Sequence, residues 1–410
     1  MFARFCGALL LGASLLMGGG AFAAGGHNHG TASNDPCADR EAPASLRCAV
    51  ATTATFHEGR LWTAWAFGGH VYVNHSDDRG KTFSPPMPVN RVPERVAADG
   101  ENRPKVTVGP EGGVYVAWTQ RLSAPYTGNI RFSRSLDGGR TFSEPVTIND
   151  DRHLTSHRFE SLTVNEQGTV YLAWLDKRDR VAEEEQGGTY RGAALYYTLS
   201  EDRGESFLPD RKVADHTCEC CRTAMTTGPD GLPVVVWRHI YGKNVRDHAL
   251  TWFTGPDAPG PMRRLSRDMW HIDACPHHGP AVSVTDNGVL HAAWFNNAED
   301  RHGLFYAHSE DQGKTIQRPV SVGRYEAGAA HPDVLSLGRR VYLLWKEFDG
   351  EKTGLYTQAS SDGGQTWSPA RRLAETAGPS DHPFLVRDGE RVFASWQTRQ
   401  EGYRLLPAAE

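Results

Sequence analysis

The sequence has little basic excess and almost no long apolar run. Against 44 Lys and Arg stand 49 Asp and Glu, a formal net charge of -5, so no positive field exists to hold nucleic acid or an anionic bilayer. Beyond the N-terminus no segment approaches 18 uninterrupted apolar residues, which excludes a multi-span membrane protein. Methionine is scarce at 6, and the 7 cysteines are too few for a disulfide-dense scaffold in a chain of 410 residues and 45.2 kDa. Abundant instead are Gly (43) and Pro (24), the mark of many short strands joined by tight turns rather than of a helical bundle.

The N-terminus reads as an address. Arg4 supplies a positive start, Gly7 to Met17 an apolar run too short to span a bilayer, and Ala21-Phe22-Ala23 small residues at a cleavage site. The expected organisation is a signal peptide over 1–23, a His-containing tail over 24–45 and one folded domain over 46–410. The expected location is the periplasm or outside the cell, where disulfides are permitted.

A repeat then runs through the chain. Val106 to Trp118 (VTVGPEGGVYVAW), Leu162 to Trp174 (LTVNEQGTVYLAW), Val282 to Trp294 (VSVTDNGVLHAAW) and Val334 to Trp345 (VLSLGRRVYLLW) share a strand, a turn and a strand closing on Trp. The closing residues Trp65, Trp118, Trp174, Trp237, Trp294, Trp345 and Trp396 are spaced 53, 56, 63, 57, 51 and 51 apart, which suits one four-stranded propeller blade per unit. The fold class expected is all-β: a β-propeller of seven blades, or six if an end unit is degenerate. The last unit lacks a clear fourth strand after Tyr403, and Leu46 to Val50 are expected to complete it. A second motif follows the tryptophans: SDDRGKTF from Ser76, SLDGGRTF from Ser135 and SSDGGQTW from Ser360, with looser copies from Ser200 and Ser309. Its Asp accepts bonds from turn amides, its Gly takes a positive φ, and its aromatic packs between sheets.

In phase with the Trp repeat, these motifs resemble the Asp-boxes (BNR repeats) of sialidase-like β-propellers, over about residues 47 to 403. Sialidases in that family use an arginine trio for the substrate carboxylate, a Tyr activated by Glu, and an Asp acid/base. Carried over, the resemblance offers Arg47 in Leu46-Arg47-Cys48-Ala49 for the first arginine, although the family's Ile-Pro is missing there. Arg222, Arg103 and Arg158 are further axial arginines, with Glu160, Tyr356 or Tyr403 as partners; the catalytic candidates are Arg47, Arg222 and Glu160. The Cys-x-Cys-Cys and Cys-Pro-x-x-Gly-Pro segments, here Cys218 to Cys221 and Cys275 to Pro280, resemble those of an exported bacterial subgroup.

Residues preceding the inner strand of each unit lie near the propeller axis. Cys218 stands 19 residues before Trp237 and Cys275 19 before Trp294, and Cys220 and Cys221 correspond likewise to His277 and His278. Equivalent loops of adjacent units therefore aim thiols and imidazoles at one region, a ligand set suited to copper, Cu(I) above all, or to zinc as second choice. The candidate ligands are Cys218, Cys220, Cys221, Cys275, His277 and His278, then His216 and His157. Carboxylates are too sparse here for calcium or magnesium. Met225 and Met269 read as packing before thioether ligands, and His331 and His382 as partners of loop carbonyls. Cys37 and Cys48 are expected to form a local bridge. For the other four cysteines, disulfides such as Cys221 with Cys275, a redox dithiol and a mixed case stay open. His27 and His29 could capture metal loosely, and Gly25 as a mature N-terminus would bind Cu(II).

The leading function is copper binding for sequestration, delivery or redox chemistry, with the metal ion and a periplasmic copper-handling protein as partners. An exo-sialidase-like glycoside hydrolase is the alternative, and a metal-free glycan- or protein-binding module the third. As an enzyme the chain would be a copper-dependent oxidoreductase or an exo-α-sialidase.

Overall fold

The structure, a computed structural model, describes Cys37 and residues 44–409; the leader and the tail histidines His27 and His29 lie outside the described residues. The chain runs as successive antiparallel meanders over 50–88, 105–147, 157–217, 224–264, 281–322, 330–376 and 384–407. Each begins on an inner strand, and its second strand carries the closing tryptophan. All seven of these tryptophans are at most 1% exposed. Burying an indole requires an acceptor for its N–H, and each finds one: Trp65 donates to Asn74 Oδ1 at 3.0 Å, Trp174 to Asp176 Oδ2 at 2.8 Å and Trp345 to Glu347 Oε1 at 2.9 Å.

The core is a ring of clusters, each shared by two neighbouring meanders. Trp118 packs with Trp62, Trp174 with Phe132, Trp237 with Tyr171, Trp294 with Trp252, Trp345 with Tyr306, and Trp396 with Tyr342. Ala54 and Leu61 of the first meander meet Val386 and Phe393 of the last, which closes the circle. The Ser-x-Asp turns belong to the same seams. Asp362 Oδ1 accepts from Gln365 N and Thr366 N at 3.0 and 2.9 Å, and Ser360 Oγ caps Gly364 N at 2.9 Å. Asp78, Asp137, Asp202 and Asp311 repeat the pattern. Gly364 has φ 89° and lies so close to Tyr306 of the preceding meander that a Cβ there would overlap the phenol oxygen.

One expectation is corrected. Leu46–Cys48 form a short 3-10 helix capped by Ser45, whose Oγ accepts from Arg47 N, and Val50 pairs with Ala66 in the first meander. The last sheet therefore has three strands, Phe384–Asp388, Arg391–Thr398 and Gly402–Pro407, and no strand from Leu46 to Val50 completes it. Cys37 and Cys48 are disulfide-bonded. No helix among the described residues is long and apolar enough to cross a membrane.

Candidate metal centre

The loops that feed the inner strands of the fourth and fifth meanders carry the thiols. Loop 218–223 turns sharply after Thr217, and Cys218 N donates to Arg238 O at 2.8 Å, which fixes the start of the loop against the next strand. Arg238 reaches across with Nη2 to His278 O at 2.9 Å and Phe295 O at 2.8 Å. Arg246 donates through Nε to Ile272 O and through Nη1 to Cys218 Sγ, both at 3.1 Å. Two guanidinium groups of one meander thus tie both cysteine loops together.

Cys218, Cys220 and Cys221 are buried and Cys275 is exposed, and all four are free thiols. Cys218 Sγ lies 3.8 Å from Cys220 Sγ and 3.6 Å from Cys221 Sγ. Cys220, Cys275 and His277 bring ligand atoms within 4.8 Å of one another, so Cys220 joins the two groups. Hydrogen bonds donated by Cys220 and Cys221, together with the Arg246 charge, hold the Cys218 thiol well below its ordinary range. Its neighbours go the other way: Cys220 is raised by that hydrogen bond to Cys218, and Cys221 chiefly by burial. Cys275 is lowered by a hydrogen bond from Cys220. Met225 packs against the core cluster that contains the three buried cysteines, while Met269 is exposed and its sulfur accepts from Arg264.

The other candidate ligands are placed elsewhere. His216 packs with its ring tilted against Tyr190 at 4.7 Å and bonds Arg191 O at 3.3 Å. His157 is fully buried in a separate cluster, with Nδ1 on Gly128 O at 2.8 Å and Nε2 on Asp151 Oδ2 at 2.9 Å, beside Asp176. His278 turns away from the thiols and stacks between Phe295 at 4.1 Å and His331 at 4.6 Å.

That stack leads to residues the sequence reading did not single out. Glu101, from the loop before the second inner strand, is buried at the axis. Its Oε2 accepts from Arg222 N at 3.0 Å and Gly279 N at 2.9 Å, and its Oε1 from Arg222 Nη1 at 2.9 Å. His331 Nδ1 and His382 Nδ1 lie 3.3 and 3.4 Å from Oε1. The two histidines therefore face this carboxylate, not the loop carbonyls expected of them. Glu101 stands 17 residues before Trp118, the same offset that Cys220 has before Trp237 and His277 before Trp294, and counting back from every tryptophan would have found it.

The sialidase-like candidates are already engaged. Arg222 is paired with Glu101 and also donates to Pro332 O at 3.2 Å. Arg103 is held by Gly100 O, Thr52 O and Asp381. Arg158 lies over the Phe159 ring and 3.6 Å from Asp99. Arg47 donates to Gln400 O at 2.9 Å and rims a cleft of about 420 Å³ with Asp99, Asp381, His382 and Arg399. Glu160 is buried, its carboxyl pushed up by desolvation, and accepts from Thr119 Oγ1 at 2.6 Å. Tyr403 bonds Ser395, and Tyr356 stacks on Trp345.

No protein-family model matches the sequence, and no curated protein matches it. Solved structures do. A polysaccharide lyase of family PL25, an ulvan lyase, aligns over 90% of this chain and 93% of its own at 11% identity and TM-score 0.56. The polysaccharide lyase Uly1 aligns over 88% and 89% at 8% identity and TM-score 0.54. NanB sialidase from Streptococcus pneumoniae aligns over 88% and 84% at 11% identity and TM-score 0.48. What the likeness to the two lyases establishes is the fold alone: the chain is an all-β propeller.

Proposed function

We propose that the Cys218–Cys220–Cys221–Cys275–His277 cluster binds a soft metal ion, copper(I) first and zinc second, for copper sequestration, delivery or redox chemistry in an exported protein. The observation that supports this reading is the convergence of four sulfurs and an imidazole from adjacent meanders. Sulfur ligands about 2.3 Å from one tetrahedral ion lie about 3.8 Å apart, and the Cys218 sulfur lies 3.8 and 3.6 Å from its two neighbours. Thiolates select Cu(I) over hard cations, and the Arg246 guanidinium supplies the thiolate at Cys218 with a partner in its unloaded state. The ion's part is soft-ligand binding and, for copper, electron transfer. The chain's part is to hold the sulfurs in place, tied by Arg238 and Arg246.

The test is titration of the reduced full chain with Cu(I) against a chromogenic chelator. About one equivalent is expected to bind, and Cys275→Ser, at an exposed position, is expected to weaken binding at least tenfold. Uptake below a tenth of an equivalent contradicts the reading.

The comparisons favour a second reading: a glycan-directed, exo-sialidase-like hydrolase working at the cleft rimmed by Arg47. Its structural neighbours include polysaccharide lyases and a sialidase, and the cleft is lined by Asp99, Asp381 and His382, with Arg103 bonded to Asp381. Release of a fluorogenic sialoside product, lost in Arg47→Ala, would support it. Neither metal uptake nor glycan turnover would leave a metal-free binding module.

A further inference from the structure

The Glu101 cluster poses a hydrogen-bonding problem that the thiol site does not solve. Its carboxylate has four good acceptor directions. Two backbone amides, Arg222 N and Gly279 N, occupy Oε2, and Arg222 Nη1 occupies one direction of Oε1. One direction remains, and two imidazoles from different meanders face it: His331 Nδ1 at 3.3 Å and His382 Nδ1 at 3.4 Å. Neither makes a well-directed bond, and the buried Nδ1 atoms of His331, His382 and His278 all lack a hydrogen-bond partner. Buried polar atoms are rarely left so. One such group would be unremarkable, but three imidazoles from the fifth, sixth and seventh meanders, gathered around one carboxylate from the second, call for a shared partner.

The backbone is shaped to bring them there. His331 sits in a bulge: pairing jumps from Ala330 opposite Lys346 to Asp333 opposite Leu344, and His331 has φ 53°. A bulge re-aims a side chain, and a non-glycine residue at positive φ is a conformation that the surroundings must enforce. The rings of His331 and His382 stack at 3.4 Å, and His278 stacks on His331 at 4.6 Å. Burial lowers the His331 and His382 imidazoles from the ordinary histidine value, and a neutral imidazole is the ligating form.

We infer that Glu101, His331 and His382 form a second cation site, for a borderline divalent transition ion such as Zn²⁺, with His278 Nδ1 as the adjacent donor. Nitrogen and oxygen ligands about 2.1 Å from one tetrahedral ion lie about 3.4 Å apart, which matches the separations of 3.3 and 3.4 Å found here. Arg222 is the outer partner that orients the carboxylate. Its positive charge also weighs against an ion held by charge alone, so calcium and magnesium are disfavoured and imidazole affinity decides. Ligation must splay the stacked pair, a local ring movement at the cluster's partly open edge. The site stands beside the thiol cluster without sharing a ligand: Cys221 and Arg222 are consecutive, as are His277 and His278, so two short peptides each serve both groups.

The experiment is Co²⁺ titration of the reduced full-length protein, since Co²⁺ reports its ligands by colour. Thiolate ligation gives intense near-ultraviolet charge transfer, whereas a histidine–carboxylate site gives only weak visible bands. Wild type is expected to bind a class of Co²⁺ without sulfur charge transfer, and His331→Ala and His382→Ala to weaken that class at least tenfold while any sulfur band persists. His382→Gln, which keeps a polar side chain of similar size, decides the case if an alanine variant misfolds. The inference is overturned if wild type binds only sulfur-ligated Co²⁺, as when a bridging water satisfies the imidazoles, or if a folded variant binds both classes as wild type does. A histidine class without a sulfur band would sustain this site and leave the thiol reading to be decided by the Cu(I) titration.

Discussion

Replacing Glu101 by Gln probes the axial network without altering its shape. In the wild type Oε1 pairs with Arg222, the two side chains being 3% and 8% exposed, and Oε2 takes two backbone amides. A glutamine has one oxygen. If it faces the amides, its NH₂ confronts the guanidinium; if it faces Arg222, its NH₂ confronts two N–H donors. Either way a buried cation loses its counter-charge, a change worth about 3–5 kcal/mol. The pH dependence has a definite sign. Although burial opposes ionisation, the Arg222 charge holds the Glu101 carboxyl well below its usual range. Its stabilisation is therefore fully present above the ordinary glutamate value of about 4.3 and is lost as pH falls through the folded-state value. Guanidinium unfolding of metal-free protein, followed by tryptophan fluorescence, should show the whole deficit at pH 7 and a smaller one under acid. Glu160→Gln is the control: burial raises that carboxyl, so its charge costs stability as pH rises through the folded value, and Gln can still accept from Thr119. Its effect at pH 7 should be under about 1 kcal/mol or stabilising. Equal losses for the two variants, or a Glu101→Gln deficit below about 1 kcal/mol, would refute the assignment of Glu101 as the ionised anchor.

Other outcomes follow from the seams between meanders. Gly364→Ala combines φ 89° with a clash against Tyr306 and should cost about 2–5 kcal/mol. Gly338→Ala, with φ 55° and open space around it, should cost about 1 kcal/mol in the same denaturation assay. Asp362→Ala removes the acceptor for Gln365 N, Thr366 N and Thr366 Oγ1; it should lower the melting midpoint and leave Cu(I) stoichiometry unchanged, because the turn belongs to the scaffold.

Much of this was legible in the sequence because a propeller writes its geometry as a period. The seven tryptophans mark the buried second strand of each meander, and the equal 19-residue offsets of Cys218 and Cys275 anticipate sulfurs on neighbouring loops. Where the period fails, the reading fails. Leu46 to Val50 are the segment expected to supply the missing fourth strand of the last unit, but Ser45 caps a helical turn over Leu46–Cys48 and the final sheet keeps three strands. His157 and His278 occupy mouth positions as expected, yet local acceptors decide their aim: Asp151 and Gly128 O take one, and the Phe295 face the other. Glu101 carries no motif, and only the fold shows that one carboxylate faces histidines from two distant units.

X-ray absorption at the copper edge of Cu(I)-loaded protein addresses the thiol cluster most directly. The account predicts copper–sulfur scattering at about 2.3 Å that declines in Cys220→Ser, the residue that joins both halves of the cluster. A first shell of nitrogen and oxygen alone, or copper unaffected by that substitution, would contradict it.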